Sequence, residues 1–184
     1  LAGPVGFTLA QPNVLLLDQA SWRLNDEPWQ AAEEILRIDR AVRKKLNIPE
    51  RGGHMAQPWT VKEKVTELGR LEIKYTIKTE VNVESPKLAV EEPQNMRITL
   101  DGKPVDNKVT GWWVDEAIKT VQLPLLNAGT HELVLSIGMT KKNNVEWCYL
   151  LGDFGVETGG REAKIIAMPK HLNIGDWAKQ GLVF

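Results

Sequence analysis

Leu71-Glu72-Ile73-Lys74-Tyr75-Thr76-Ile77-Lys78-Thr79-Glu80-Val81 decides the fold class. Leu71, Ile73, Tyr75, Ile77 and Val81, with Thr79 in the same register, alternate with Glu72, Lys74, Thr76, Lys78 and Glu80. Successive side chains of a strand point to opposite faces, so this is one long strand with a buried face and a wet face. A strand exposed on one side belongs to an antiparallel sheet. The same period continues outward through Leu88-Ala89-Val90, Met96 to Leu100, Trp112 to Val114, Thr120 to Leu123, Glu132 to Ile137, Trp147 to Leu151 and Ala163 to Ala167. Asp101-Gly102 before Lys103-Pro104-Val105 is a two-residue hairpin signal. About nine short strands separated by turns describe an antiparallel β-sandwich or barrel, a mainly β protein, rather than alternating βα units.

The period changes near the start of the chain. Val14 to Leu17 and Ser21 to Leu24 are strand-sized, the second closed by Asn25-Asp26. From Trp29 to about Leu46 the spacing is helical, with Ile35, Ile38, Val42 and Leu46 on one side, until Pro49 and Gly52-Gly53 stop it. Glu33 with Arg37 and Asp39 with Arg43 are i,i+4 pairs in the favourable order, about 0.2–0.5 kcal/mol each. Arg43-Lys44-Lys45 reads as a basic last turn suited to the helix dipole, not as an anion site. The expected organisation is a strand and helix over 1–60 packing on a sandwich at 61–169, then an exit linker over 170–184 toward a further domain. The Leu1 start and the stretch Gly175 to Phe184, which stops just as apolar residues resume, suggest an excised piece, with a docked terminal strand as the alternative reading of that end.

Composition excludes several classes of partner. The 184 residues carry 23 basic and 24 acidic side chains, a net charge of -1. No basic block provides the positive footprint that nucleic acid or an anionic membrane requires. No run approaches the roughly 18 to 20 apolar residues of a membrane helix. One Cys rules out an internal disulfide framework and an all-cysteine zinc site. A chain of this length buries about 70% of its unfolded surface, so a core forms without such staples.

Little in the sequence points to autonomous catalysis. His54, His131 and His171 lie in no nucleophile motif and at no metal-ligand spacing. Cys148 sits in the apolar run Trp147-Cys148-Tyr149-Leu150-Leu151, where a buried, inert thiol is expected. The glycines are scattered between strands and form no phosphate loop. Glu91-Glu92 and Asp115-Glu116 are adjacent acids, which point to opposite faces of a strand. A stand-alone glycosidase or lyase would therefore have to combine Asp115 with Asp153 across a sheet, because such enzymes need two acids about 5 to 9.5 Å apart. No cofactor is implied, and a structural calcium ion held by scattered oxygens is the one metal left open.

Tryptophan carries the remaining signal, with seven Trp against three Phe and two Tyr. An indole fills a core or stacks on a sugar ring. Trp22, Trp29 and Trp59 flank the helical stretch and are expected to pin it to the sandwich, while Trp147 belongs to a strand and Trp177 to the tail. Trp112 and Trp113 are consecutive on a strand, so one should face the core and the other lie at least partly outside. The exposed one is either covered by the N-terminal helix or a neighbouring domain, the simpler reading, or open as a sugar platform, in which case Trp112 or Trp113 with Asp115 and Asp153 as acceptors for sugar hydroxyls is the candidate carbohydrate-binding set.

Four segments carry a family resemblance. They are Thr110-Gly111-Trp112-Trp113-Val114-Asp115, Thr120-Val121-Gln122-Leu123, Asn127-Ala128-Gly129-Thr130-His131-Glu132-Leu133-Val134-Leu135 and Tyr149-Leu150-Leu151-Gly152-Asp153-Phe154-Gly155-Val156. With the Leu100 to Val105 hairpin, they make the chain resemble the galactose-binding-like (jelly-roll) sugar-binding domain of large bacterial glycoside hydrolases, of the family 2 and α-L-rhamnosidase-like kinds. The resemblance implies a non-catalytic accessory module, scaffolding a neighbouring catalytic domain of the same chain and in some cases binding oligosaccharide, in the periplasm or outside the cell. It also implies that the catalytic acids lie elsewhere, so none is carried onto this sequence. The helix from Ala31 to Leu46 is an elaboration of a minimal jelly roll, expected to dock on such a neighbour. A protein-protein adhesion domain of the same architecture differs only in its ligand.

Overall fold

A computed structural model describes residues 3–50 and 66–183 of the chain. In chain order its elements are β1 (Val5–Gly6), β2 (Asn13–Leu17), β3 (Gln19–Leu24), β4 (Gln30–Glu34), the helix α1 (Ile35–Lys45), β5 (Gly69–Thr79), β6 (Lys87–Glu91), β7 (Met96–Leu100), β8 (Lys103–Val105), β9 (Val109–Trp113), β10 (Asp115–Gln122), β11 (Gly129–Met139), β12 (Cys148–Gly152), β13 (Gly155–Gly159), β14 (Glu162–Ile166) and β15 (His171–Leu172). Two sheets pack face to face. One has five strands in the order β2-β12-β6-β10-β9. The other has eight, in the path β13-β14-β5-β11-β7-β8, with β3 beside β5 and β4 outside β3. The pairings are antiparallel except where β14 meets the end of β5 at Lys164↔Lys78 and Ile165↔Thr79.

The alternating stretch is the spine of the larger sheet. β5 pairs with β11 along its whole length, from Gly129↔Thr79 to Met139↔Gly69. Leu71, Ile73, Tyr75 and Ile77 are buried, and they meet Leu15, Leu17, Leu88, Val90, Val121, Cys148 and Leu150 of the smaller sheet in one core cluster. The opposite face of the larger sheet is charged. Arg23 pairs with Glu72, Lys74 lies 3.2 Å from Glu132 and Lys78 lies 3.0 Å from Glu162. The Asp101-Gly102 hairpin forms as expected between β7 and β8, with both residues at positive φ, 51° and 74°.

The first stretch departs from its reading in two ways. β2 is a member of the smaller sheet and β3 and β4 of the larger, so the N-terminal strands are built into the sandwich instead of lying on it. The helix is also shorter than its periodicity suggests. Gln30 to Glu34 are extended and pair with β3, and the helix starts at Ile35. A free edge of β3 would leave backbone groups unpaired, and the β4 pairing satisfies them. Glu34 ends the strand and caps the helix, its side chain accepting from the Arg37 N–H at 3.2 Å. Ile35, Ile38 and Val42 enter the same core as the sheets, so the apolar side of α1 is covered by this chain itself, not held out for a neighbour.

Arg43 is likewise not a surface residue of a basic last turn. It is 1% exposed and bonds Asp39 at 2.8 Å, the Pro49 carbonyl at 3.0 Å, the Asn143 carbonyl at 3.1 Å and Asn144 Oδ1 at 2.6 Å. Asp39 accepts in turn from the Val145 N–H at 3.1 Å. The stretch expected to be an exit linker folds back: β15 pairs with β1, Leu182 is buried, and the Val156 N–H donates to the Gly181 carbonyl at 2.8 Å. Buried Asn13 fastens it, donating to the Phe154 and Gly181 carbonyls, both at 2.8 Å, and accepting from the Val183 N–H at 2.9 Å.

Candidate functional site

The outer face of the smaller sheet is apolar where that of the larger is charged. Val14, Ala89 and Leu151 form a second buried cluster there, with Trp113, Ile118 and Tyr149 packed against it. The register explains the grouping. Tyr149 lies opposite Ala89, and Glu91 opposite Ile118, on the face turned away from the core residues Leu88, Val90 and Leu150. The Trp113 ring meets that of Tyr149 with centroids 4.8 Å apart and planes inclined by 55°. Such tilted aromatic pairs contribute about 0.5–1.5 kcal/mol beyond the area they bury.

Trp112 takes the other side of the same edge strand. It pairs with Lys119, which lies opposite the core residue Val90, so its side chain is directed toward the gap between the sheets. At the rim that gap is open, and Trp112 is 57% exposed. Neither indole is therefore a core residue, against the expectation that one would be. The edge position is the reason: β9 has a neighbour on one side only, and the facing sheet ends in the three-residue strand β8. Beside the pair, Val114 adopts φ 63°, a left-handed conformation that a β-branched residue resists, and is 71% exposed. Asp115 follows directly and holds the turn by accepting from the Ala117 N–H at 2.7 Å. Strain of this kind persists where the surroundings enforce it and concentrates at functional sites.

Of the four residues singled out in the sequence, three come together. Trp112, Trp113 and Asp115 share one turn, while Asp153 follows β12 at the opposite end of the sheet. The Leu151↔Lys87↔Gln122 level and the Glu91↔Ile118 level are four residues apart, about 13 Å at 3.3 Å per residue. Asp115 and Asp153 lie beyond these two levels in opposite directions. They cannot serve as an acid/base pair across one glycosidic bond.

Other expectations fall as follows. Cys148 is fully buried beneath Tyr75, whose hydroxyl it meets, and burial pushes its thiol up to about 12, so it is inert as a nucleophile. Among the described residues no group of three or more His, Cys, Asp or Glu is placed to hold a metal ion. His131 is a turn clamp, with Nδ1 2.7 Å from Asp101 and Nε2 2.7 Å from the Asn127 carbonyl. Trp22 is in the core, whereas Trp29 lies under Arg23 and Lys74 at 4.8 and 4.5 Å, and Trp147 precedes β12 and donates to the capping Glu34 at 2.9 Å. Trp59, His54 and Gly52-Gly53 lie outside the described residues. Tyr149 was absent from the candidate set. Its signal was there, because alternation past Cys148 and Leu150 turns Tyr149 outward, but which aromatic it meets depends on the order of four strands.

No family model and no curated protein matches the chain. Among solved structures, the GH31 alpha-xylosidase from Xanthomonas citri aligns over 90% of this chain and 18% of that one, at 11% identity and a TM-score of 0.31. The chain thus spans less than a fifth of the length of that enzyme. No helix among the described residues is long and apolar enough to cross a membrane.

Proposed function

We propose that the chain is a non-catalytic accessory β-sandwich module of a larger carbohydrate-active enzyme, of the galactose-binding-like kind, and that it contacts carbohydrate through the aromatic rim of β9. The observation that carries this reading is the exposure of Trp112 at a sheet edge whose next residue, Trp113, is half-buried against Tyr149 and paired with Asp115. A pyranose ring presents C–H groups to an indole face and hydroxyls to a carboxylate. One stacked ring with two or three hydrogen bonds, about 1 kcal/mol net each, corresponds to an affinity near 1 mM. The separation of Asp115 from Asp153 argues against a stand-alone glycosidase using that pair. A scaffolding role is supported by two exposed large apolar residues of the folded-back segment, Ile174 at 79% and Trp177 at 56%. These residues, not the helix, would face a neighbouring domain.

The test is calorimetric titration of the chain with neutral oligosaccharides of the cello, xylo and manno series at millimolar concentration. At least one series is expected to bind, and Trp112→Ala is expected to abolish that binding while leaving the melting temperature within about 2 °C, since so exposed a side chain adds little to stability. Absence of any heat across the panel eliminates the carbohydrate reading, as does binding that Trp112→Ala leaves intact.

A further inference from the structure

A second cleft of about 710 Å³ lies at the opposite end of the smaller sheet from the aromatic rim. Its size is within the range of small-ligand sites, about 300–1,000 Å³. One wall is the arm between β1 and β2, contributing Phe7, Leu9 and Pro12, and the other is Met168 and Pro169. The two walls are tied together because β1, just before the arm, pairs with β15, just after Pro169. The floor is Leu151-Gly152. Gly152 admits no side chain, since a Cβ there would come within 2.8 Å of the Phe154 ring, and Phe154 is itself fully buried with its carbonyl held by Asn13. The floor is therefore held by the core beneath it, and the β1–β15 pairing joins the walls.

The charges at the mouth set the chemistry. Lys87 and Lys170 line the cleft with Asp153 as the one carboxylate. No carboxylate pairs with either lysine among the described residues, whereas Lys74, Lys78 and Lys164 on the other sheet are all paired. The cleft thus offers apolar residues on both sides, an excess of positive charge, and hydroxyl acceptors in Asp153, Thr8, Gln11 and Ser85. A uronic acid matches all three with its C–H ring face, its carboxylate and its hydroxyls.

We infer that this cleft is a second glycan site, distinct from the aromatic rim, that takes the acidic residues of a uronate-bearing oligosaccharide through Lys87 and Lys170. The choice of a sugar over another acidic ligand rests on the carbohydrate reading above, and the experiment separates the two. The full chain is titrated with tetragalacturonate, with cellotetraose as its neutral counterpart and with tetraglutamate as a non-sugar of similar charge. Tetragalacturonate is expected to bind at low ionic strength. Lys87→Gln and Lys170→Gln should each weaken it about two- to fivefold, and Lys87→Glu with Lys170→Glu together should abolish it. Salt near 1 M, where screening acts within about 3 Å, should do the same. Melting temperatures of the lysine variants should match the parent because both side chains are on the surface. The inference is overturned by absence of tetragalacturonate binding, by binding indifferent to the double reversal, or by equal binding of tetraglutamate. In any of these cases neutral oligosaccharide binding lost in Trp112→Ala leaves the aromatic-rim reading standing, and binding of tetragalacturonate with none by the cello, xylo or manno series removes that reading and keeps this one.

Discussion

Asp39 and Arg43 show how far a residue's environment can depart from its local pattern. Four apart on α1, they read as a solvated pair worth a few tenths of a kcal/mol, yet both are almost fully buried and together hold Pro49, Asn143, Asn144 and Val145. Removing one partner of a buried pair strands the other's charge, which costs about 3–5 kcal/mol, whereas removing both does not. Arg43→Met is therefore expected to lower the unfolding free energy by about that amount. Asp39→Leu with Arg43→Met should lose about 1–3 kcal/mol less than the sum of the single changes. Urea denaturation of the three variants measures this, and strict additivity would show that the pair is not coupled. The spacing of Asp39 and Arg43 was legible in the sequence. Their burial was not, because it depends on the 140–147 loop arriving from 100 residues away, and no local pattern encodes that.

At the scale of elements, the β7–β8 hairpin is clamped to β11 through His131. Burial disfavours the imidazolium, but the Asn127 carbonyl and the Asp101 carboxylate outweigh it, and the histidine is held above its ordinary value. Burial likewise works against the Asp101 carboxylate, while His131 and the Glu132 N–H bring it below the usual range. A raised histidine stabilises the fold fully below its unfolded value, about 6.5, and that contribution is lost as pH rises through the folded value. A depressed aspartate contributes above about pH 3.9 and is lost as pH falls through its folded value. The clamp is thus strongest between about pH 4 and 6.5. The melting temperature of the parent minus that of His131→Gln should be larger at about pH 5.5 than at about pH 8.5, by the equivalent of about 0.5–1 kcal/mol for so exposed a partner. A difference that is flat, or grows with pH, would remove the clamp. The hairpin was readable because Asp-Gly has few alternatives to a tight turn. β4 was not, since its residues favour a helix and only the free edge of β3 makes them extended.

At the scale of the whole molecule, Cys148 reports on the contact between the two sheets. It lies on the inner face of the five-stranded sheet against Tyr75 of the eight-stranded one, fully buried. With its thiol pushed up to about 12, alkylation at neutral pH requires the sheets to separate. Labelling by iodoacetamide across a urea series should therefore follow the same midpoint as circular dichroism, and complete labelling in native buffer would show that the sheets open without unfolding. The sequence by itself determined the antiparallel β class, the long central strand, the main hairpin and the absence of a basic footprint, because each follows from side-chain period, turn chemistry or charge within a few residues. Only the tertiary structure decided that the N-terminal strands join both sheets, that the C-terminal segment is bound back by Asn13, that Asp153 lies in a lysine-lined cleft away from the indoles, and that Trp113 meets Tyr149. Those are long-range pairings, and they depend on which strand lies beside which, a choice made by burying one shared core and satisfying every sheet edge at once.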